Sequence, residues 1–210
     1  RYFVRQGRFT AGVETRYAPS LITGQPAHQA RATGFPLGMR FHSAPVVRLA
    51  DAKPVQLGHV VKADGRWRIF AFADKDDPAA ETSAIRRLCN FLQDDLASPV
   101  LRHTAAGEDI DAVIDLRAVF QQNHRDLALG RMPSLLLPAK GRYGLRDYEK
   151  MFCPDLKCGN DIFEMRGINR EQGCLVIVRP DQYVAHILPL GGFGALSAFF
   201  EGILRPGNEH

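Results

Sequence analysis

CLVIVRPDQYVAHI, residues 174–187, joins two strand-forming runs through a short stretch of turn chemistry. Residues 175–178 are apolar and mostly β-branched, and 183–187 return to strand-like composition after Pro180-Asp181-Gln182. Pro180 lacks a backbone donor and suits a strand end or a turn, while Asp181 can bond to its own neighbouring backbone. The stretch reads as a β-hairpin whose structural residues are Arg179, Pro180, Asp181 and Tyr183. Its strands are expected to lie buried in a sheet, with Asp181 and Gln182 at the turn and the Tyr183 ring in the core.

Upstream, RWRIFAFA at 66–73 is the strongest strand of the chain, entered through the tight turn Ala63-Asp64-Gly65. VVRLADAKPVQLGHVVK at 46–62 reads as two short strands, expected to pair with it as a hairpin. In 79–98, Ile85, Leu88, Leu92 and Leu96 fall at helical spacing, with Pro78 and Glu81 suited to the start of an amphipathic helix of about four turns. DAVIDLRAVF at 111–120 is strand-like. Between 121 and 173, GRMPSLLLPAKGRYG is turn-rich, LRDYEKMF suggests a helical turn or two, CPDLKC a loop and DIFEMRGI a short helix. LSAFFEGIL at 196–204 forms a last helix.

Strand, helix, strand, antiparallel hairpin and terminal helix is the element order of an α/β, thioredoxin-like mixed sheet with flanking helices. Residues 39–210 are assigned to that domain. Residues 1–38 read as an extended connecting arm, because from residue 7 they are dense in Gly, Pro, Ser and Thr and hold neither period. The chain opens on Arg1 rather than Met and is expected to be a piece of something longer.

Composition narrows the function. Hydrophobic residues make up 45% and charged residues 24% of the 210, ordinary values for a globular protein with a substantial core. The net charge of +4 is spread without a Lys/Arg block, so no nucleic-acid partner is expected. No apolar run approaches 18 residues, so no membrane span is expected either, and a cytoplasmic location is the default.

Sites for chemistry are sparse. A thioredoxin-like redox pair would sit at the N-terminus of the helix after RWRIFAFA, where ADKDDPAA has no cysteine. Of the four cysteines, Cys153 and Cys158 are separated by four residues, lack a second pair for zinc, and read as free thiols. No G-x-S-x-G nucleophile turn occurs, and LGGFGAL at 190–196 lacks the G-x-G-x-x-G pattern and reads as a turn into the last helix. No catalytic, cofactor-binding or metal-ligating residue is therefore assigned. Leu135 and Leu137, in the proline-bracketed PSLLLP, are candidates for an exposed apolar interface.

FTAGVETRYAPS at 9–20, ADGRWRIFAFAD at 63–74 and GCLVIVRPDQYVAHI at 173–187 together resemble the C-terminal portion of the phenol-hydroxylase type of FAD-dependent aromatic monooxygenases. The resemblance runs over nearly the whole chain, and V-R-P-D-x-Y-V is its most specific element. It implies a thioredoxin-like domain without redox cysteines that contributes to a homodimer, attached to N-terminal flavin and substrate domains absent here. FAD and NADPH would belong to that parent enzyme, with no cofactor in this chain. Two alternatives stand beside it: a stand-alone thiol oxidoreductase using Cys153 and Cys158, and a module binding a small aromatic ligand.

Overall fold

The computed structural model of the protein describes Gly7, Gly12 and residues 14–207. The first part of the FTAGVETRYAPS stretch, including residues 9–11 and 13, lies outside the described residues. Seven strands form one mixed sheet: β1 (Pro45–Arg48), β2 (Pro54–Gln56), β3 (Trp67–Phe72), β4 (Ile114–Val119), β7 (Met151–Pro154), β8 (Cys174–Val178) and β9 (Val184–Leu188). Their order across the sheet is β2-β1-β7-β4-β3-β8-β9. A separate two-stranded ribbon pairs β5 (Ala139–Lys140) with β6 (Leu145–Arg146). The helices that pack on the sheet are α1 (Ala84–Asp94), α2 (Pro99–His103), α3 (Ile162–Met165) and α4 (Phe193–Glu201).

β3 and β4 run parallel with α1 between them in sequence, as a crossover connection requires. β8 returns antiparallel against β3, β9 completes the hairpin, and α4 follows. This is the mixed α/β arrangement that the order of elements predicts. Every residue of β3, β4 and β8 is buried, because central strands are covered on both faces.

Alternation along β3 sends Ile69 and Ala71 to one face and Phe70 and Phe72 to the other. On the first face they meet Ile85, Leu88 and Leu92 of α1 and Leu196 and Phe200 of α4. On the second face Phe35, Phe41 and Phe70 form a continuous ring stack, with successive centroids 4.7 Å apart. Phe35 comes from the segment assigned to the connecting arm, of which Ala32 and Leu37 are also buried in this second core.

Several local expectations are corrected. The hairpin between 46–62 and 66–73 does not form: β1 and β2 pair with each other and, through β1, with β7 at the far edge. The helix begins at Ala84, after Ser83 accepts from the Arg86 backbone N–H, rather than near Pro78 or Glu81. It ends at Asp94, a three-turn helix, and leaves Leu96 90% exposed. LRDYEKMF holds no helix: its first two residues form β6 and its last two open β7.

Leu135 and Leu137 are not an exposed patch. Both are buried in the core beneath α1, where residues 134–136 form a single 3-10 turn that aims the leucines inward. Leu135→Ala is accordingly expected to cost about 2–3 kcal/mol of stability. Chemical denaturation reads that loss, and sedimentation should find association unaltered.

Candidate functional site

At the carboxyl end of β3, residues 73–83 occupy the place where a thioredoxin-like redox pair would precede α1. The segment carries Asp74, Asp76 and Asp77. Burial, aided by Asp76, pushes the Asp74 carboxyl above its ordinary range. The thiols lie elsewhere and are poor nucleophiles. Burial pushes Cys89, Cys153 and Cys174 up to about 12, and the carboxylate of Asp155 raises the exposed Cys158. A raised pKa leaves little thiolate at neutral pH. Cys153 sits inside β7 and Cys158 on a surface turn, and both are free thiols.

The opposite end of the sheet carries the polar organisation. There the β8–β9 turn places Arg179 against Asp181, with Nε 3.0 Å from Oδ1. The same guanidinium lies 4.8 Å from the Tyr17 ring and 5.6 Å from the Tyr183 ring, which meet edge to face at 4.8 Å. Arg40 approaches the Tyr183 ring at 5.8 Å. Backbone bonds lock the arm beside this cage: Tyr17 N–H donates to Gly38 O, Gly38 N–H to Val184 O, and Phe41 N–H to Gln182 O. Gly38 has φ +76° and faces the Tyr17 carbonyl so closely that a Cβ would lie 2.0 Å from its oxygen.

Tyr183 therefore belongs to a half-buried cage and not to the core, because it precedes β9 and turns toward Arg179. Tyr183→Ala is expected to cost about 1–2 kcal/mol, the sum of a cation–π contact and an aromatic pair. Urea unfolding measures it, and a loss above that range would return the ring to the core.

Beside the cage, on the face that carries Phe70 and Phe152, lies a buried charge network. Asp115 is fully buried between three cations. Its Oδ1 accepts from Lys150 Nζ at 2.6 Å and its Oδ2 from Arg117 Nε at 2.9 Å. Arg68 Nε lies 2.9 Å from Oδ2 without the alignment of a hydrogen bond. Arg68 Nη2 also donates to Asp64 at 2.6 Å, and Lys150 reaches Asp111. Desolvation works to raise the Asp115 and Asp111 carboxyls, but the Lys150 ammonium and the other cations outweigh it and hold both below their ordinary range.

Composition and motif reading passed over these residues. Their signal is a charged side chain inside a strand whose neighbours are all apolar, as in WRIF and IDLRAV, since a buried charge demands a partner.

An open groove of about 1160 Å³ adjoins the network. Among the described residues, no group of three or more His, Cys, Asp or Glu could hold a metal, and no helix is long and apolar enough to cross a membrane. The arrangement ties β3, β4 and the approach to β7 together at one end of the sheet.

A family model described as the phenol hydroxylase C-terminal dimerisation domain matches residues 15–208. A 3-hydroxybenzoate 4-monooxygenase of Comamonas testosteroni is 62% identical over 98% of this chain, which covers 32% of that relative. The FAD-dependent monooxygenase terD of Aspergillus terreus is 33% identical over 97% of this chain, which covers 34% of it. This chain thus spans about a third of the length of these curated relatives. Among solved structures, a thiol:disulfide interchange protein from a Bacteroides species has a TM-score of 0.44 and 11% identity, covering 78% of this chain and 90% of that one. The match over residues 15–208 decides the family: this chain belongs to the C-terminal dimerisation domains of phenol hydroxylases.

Proposed function

We propose that this chain is the non-catalytic, assembly-forming C-terminal portion of an FAD- and NADPH-dependent aromatic hydroxylase that acts on phenolic substrates in the cytoplasm and is a homodimer. The observation that carries the reading is the 62% identity to a 3-hydroxybenzoate 4-monooxygenase across 98% of the chain. Residues 1–38 then lead in from the flavin and substrate domains, and the cage at Arg179 and Tyr183 fixes where that arm meets the sheet. The role in assembly agrees with thiols whose pKa values are raised. Among the described residues the most exposed large apolar side chains are Leu21, Leu96, Tyr143 and Leu145, and these offer area for a self-contact in place of Leu135 and Leu137.

The test is a comparison of this chain with the full-length polypeptide. The longer protein should bind flavin and oxidise NADPH when given a phenolic acid, while this chain should be colourless and inert. Stoichiometric flavin on this chain alone would overturn the reading.

A further inference from the structure

We propose that the open groove beside the buried charge network is the docking face for an acidic surface of the flavin-bearing portion of the same polypeptide. The inference rests on the function proposed above and specifies which face of this domain meets the remainder of the enzyme.

Three observations point there. The groove is lined by seven lysine and arginine side chains against three carboxylates. Lys53, Lys62 and Arg146 on its wall are exposed and none has an ion-pair partner among the described residues, although Arg146 donates from Nη1 to the Leu137 carbonyl at 3.1 Å. Such a surplus is complementary to a carboxylate-rich surface, and the apolar Val55, Val60 and Pro45 between the cations supply area for close packing.

The second observation is size. At about 1160 Å³ and open to solvent, the groove exceeds the ~300–1,000 Å³ of most small-molecule pockets. Its most buried cation, Arg117, is already engaged by Asp115 and the Glu149 carbonyl. A small anion would find the less exposed cations Arg48, Arg66 and Lys140 already paired with carboxylates, whereas a protein surface can span Lys53, Lys62 and Arg146 together.

The third is position. Gln182 at the hairpin turn donates from Nε2 to the Val61 carbonyl at 3.1 Å, between the groove residues Val60 and Lys62. Tyr17 of the arm packs on Tyr183 next to it. On the proposed function, the chain that leads to the flavin domain therefore passes within reach of this groove, and a tethered partner gains a high effective concentration.

Hydrogen–deuterium exchange of this chain and of the full-length polypeptide, each at a concentration above and below its association, tests the proposal. Residues 53–62 and 140–149 should exchange about tenfold more slowly in the full-length protein at both concentrations. A Lys53→Glu, Lys62→Glu variant should abolish that difference while leaving this chain's own protection unchanged. Equal exchange in the two proteins would overturn the docking face. Protection that appears only at high concentration would overturn it too, by placing a second copy in the groove. Absence of flavin from the full-length protein would instead sink the function on which the inference rests, and the two failures are read by separate measurements.

Discussion

Asp115→Ala is expected to lower the unfolding free energy by about 3–5 kcal/mol, because it strips the shared carboxylate from three cations, two of which cannot reach water. Lys150 is 1% exposed and Arg68 fully buried, so neither can swing out to be solvated. Lys150 keeps Asp111 and Arg68 keeps Asp64, which is why the loss is not larger. The pH dependence follows from the depressed carboxyls of Asp115 and Asp111. A carboxyl held low in the fold contributes its full stability above its unfolded pKa of about 3.9 and loses it as the pH falls toward the folded value. The protein should therefore lose stability below about pH 4. The gap between wild type and the Asp115→Ala chain should narrow in the same range. Urea midpoints between pH 7 and pH 3 measure both, and a gap that stays constant would show that the ion network is not the cause.

Phe70→Ala should cost about 3–5 kcal/mol, since it empties a fully buried position in a central strand. Phe70 stacks on Phe41 at 4.7 Å and 11°, and Phe41 stacks in turn on Phe35. The cavity would thus undermine the segment around residue 35 as well as the sheet. Thermal or urea unfolding gives the magnitude, and exchange at the Phe35 and Phe41 amides should rise beyond that at α1. A loss confined to the global midpoint, with 35–41 no more labile than α1, would mean that the ring stack does not hold the segment down.

Much of the sheet was legible because its signals are local. The β-branched runs on either side of Pro180-Asp181-Gln182 form the hairpin, and RWRIFAFA and DAVIDLRAVF form the parallel pair. What escaped depends on partners distant in sequence. β1 pairs with β7 across about a hundred residues, and nothing in 46–62 says so. Strand β7 is four residues long and follows a charged stretch, so its period is too short to read. PSLLLP resembles an exposed turn because prolines bracket it, and only the packing under α1 reveals it as core. The site was legible in part. Arg179 and Asp181 are near neighbours in sequence and pair with each other, whereas Arg68 and Asp115 come from two strands and Lys150 from the residue that leads into a third, and they are joined only by the fold.

The account holds that this domain serves assembly. Sedimentation of the full-length polypeptide, and of a version lacking residues 39–210, tests this most directly, with bound flavin confirming that the shortened protein is folded. The expected result is a dimer for the full-length protein and a flavin-bearing monomer for the shortened one. A shortened protein that keeps its flavin and remains dimeric would contradict the account.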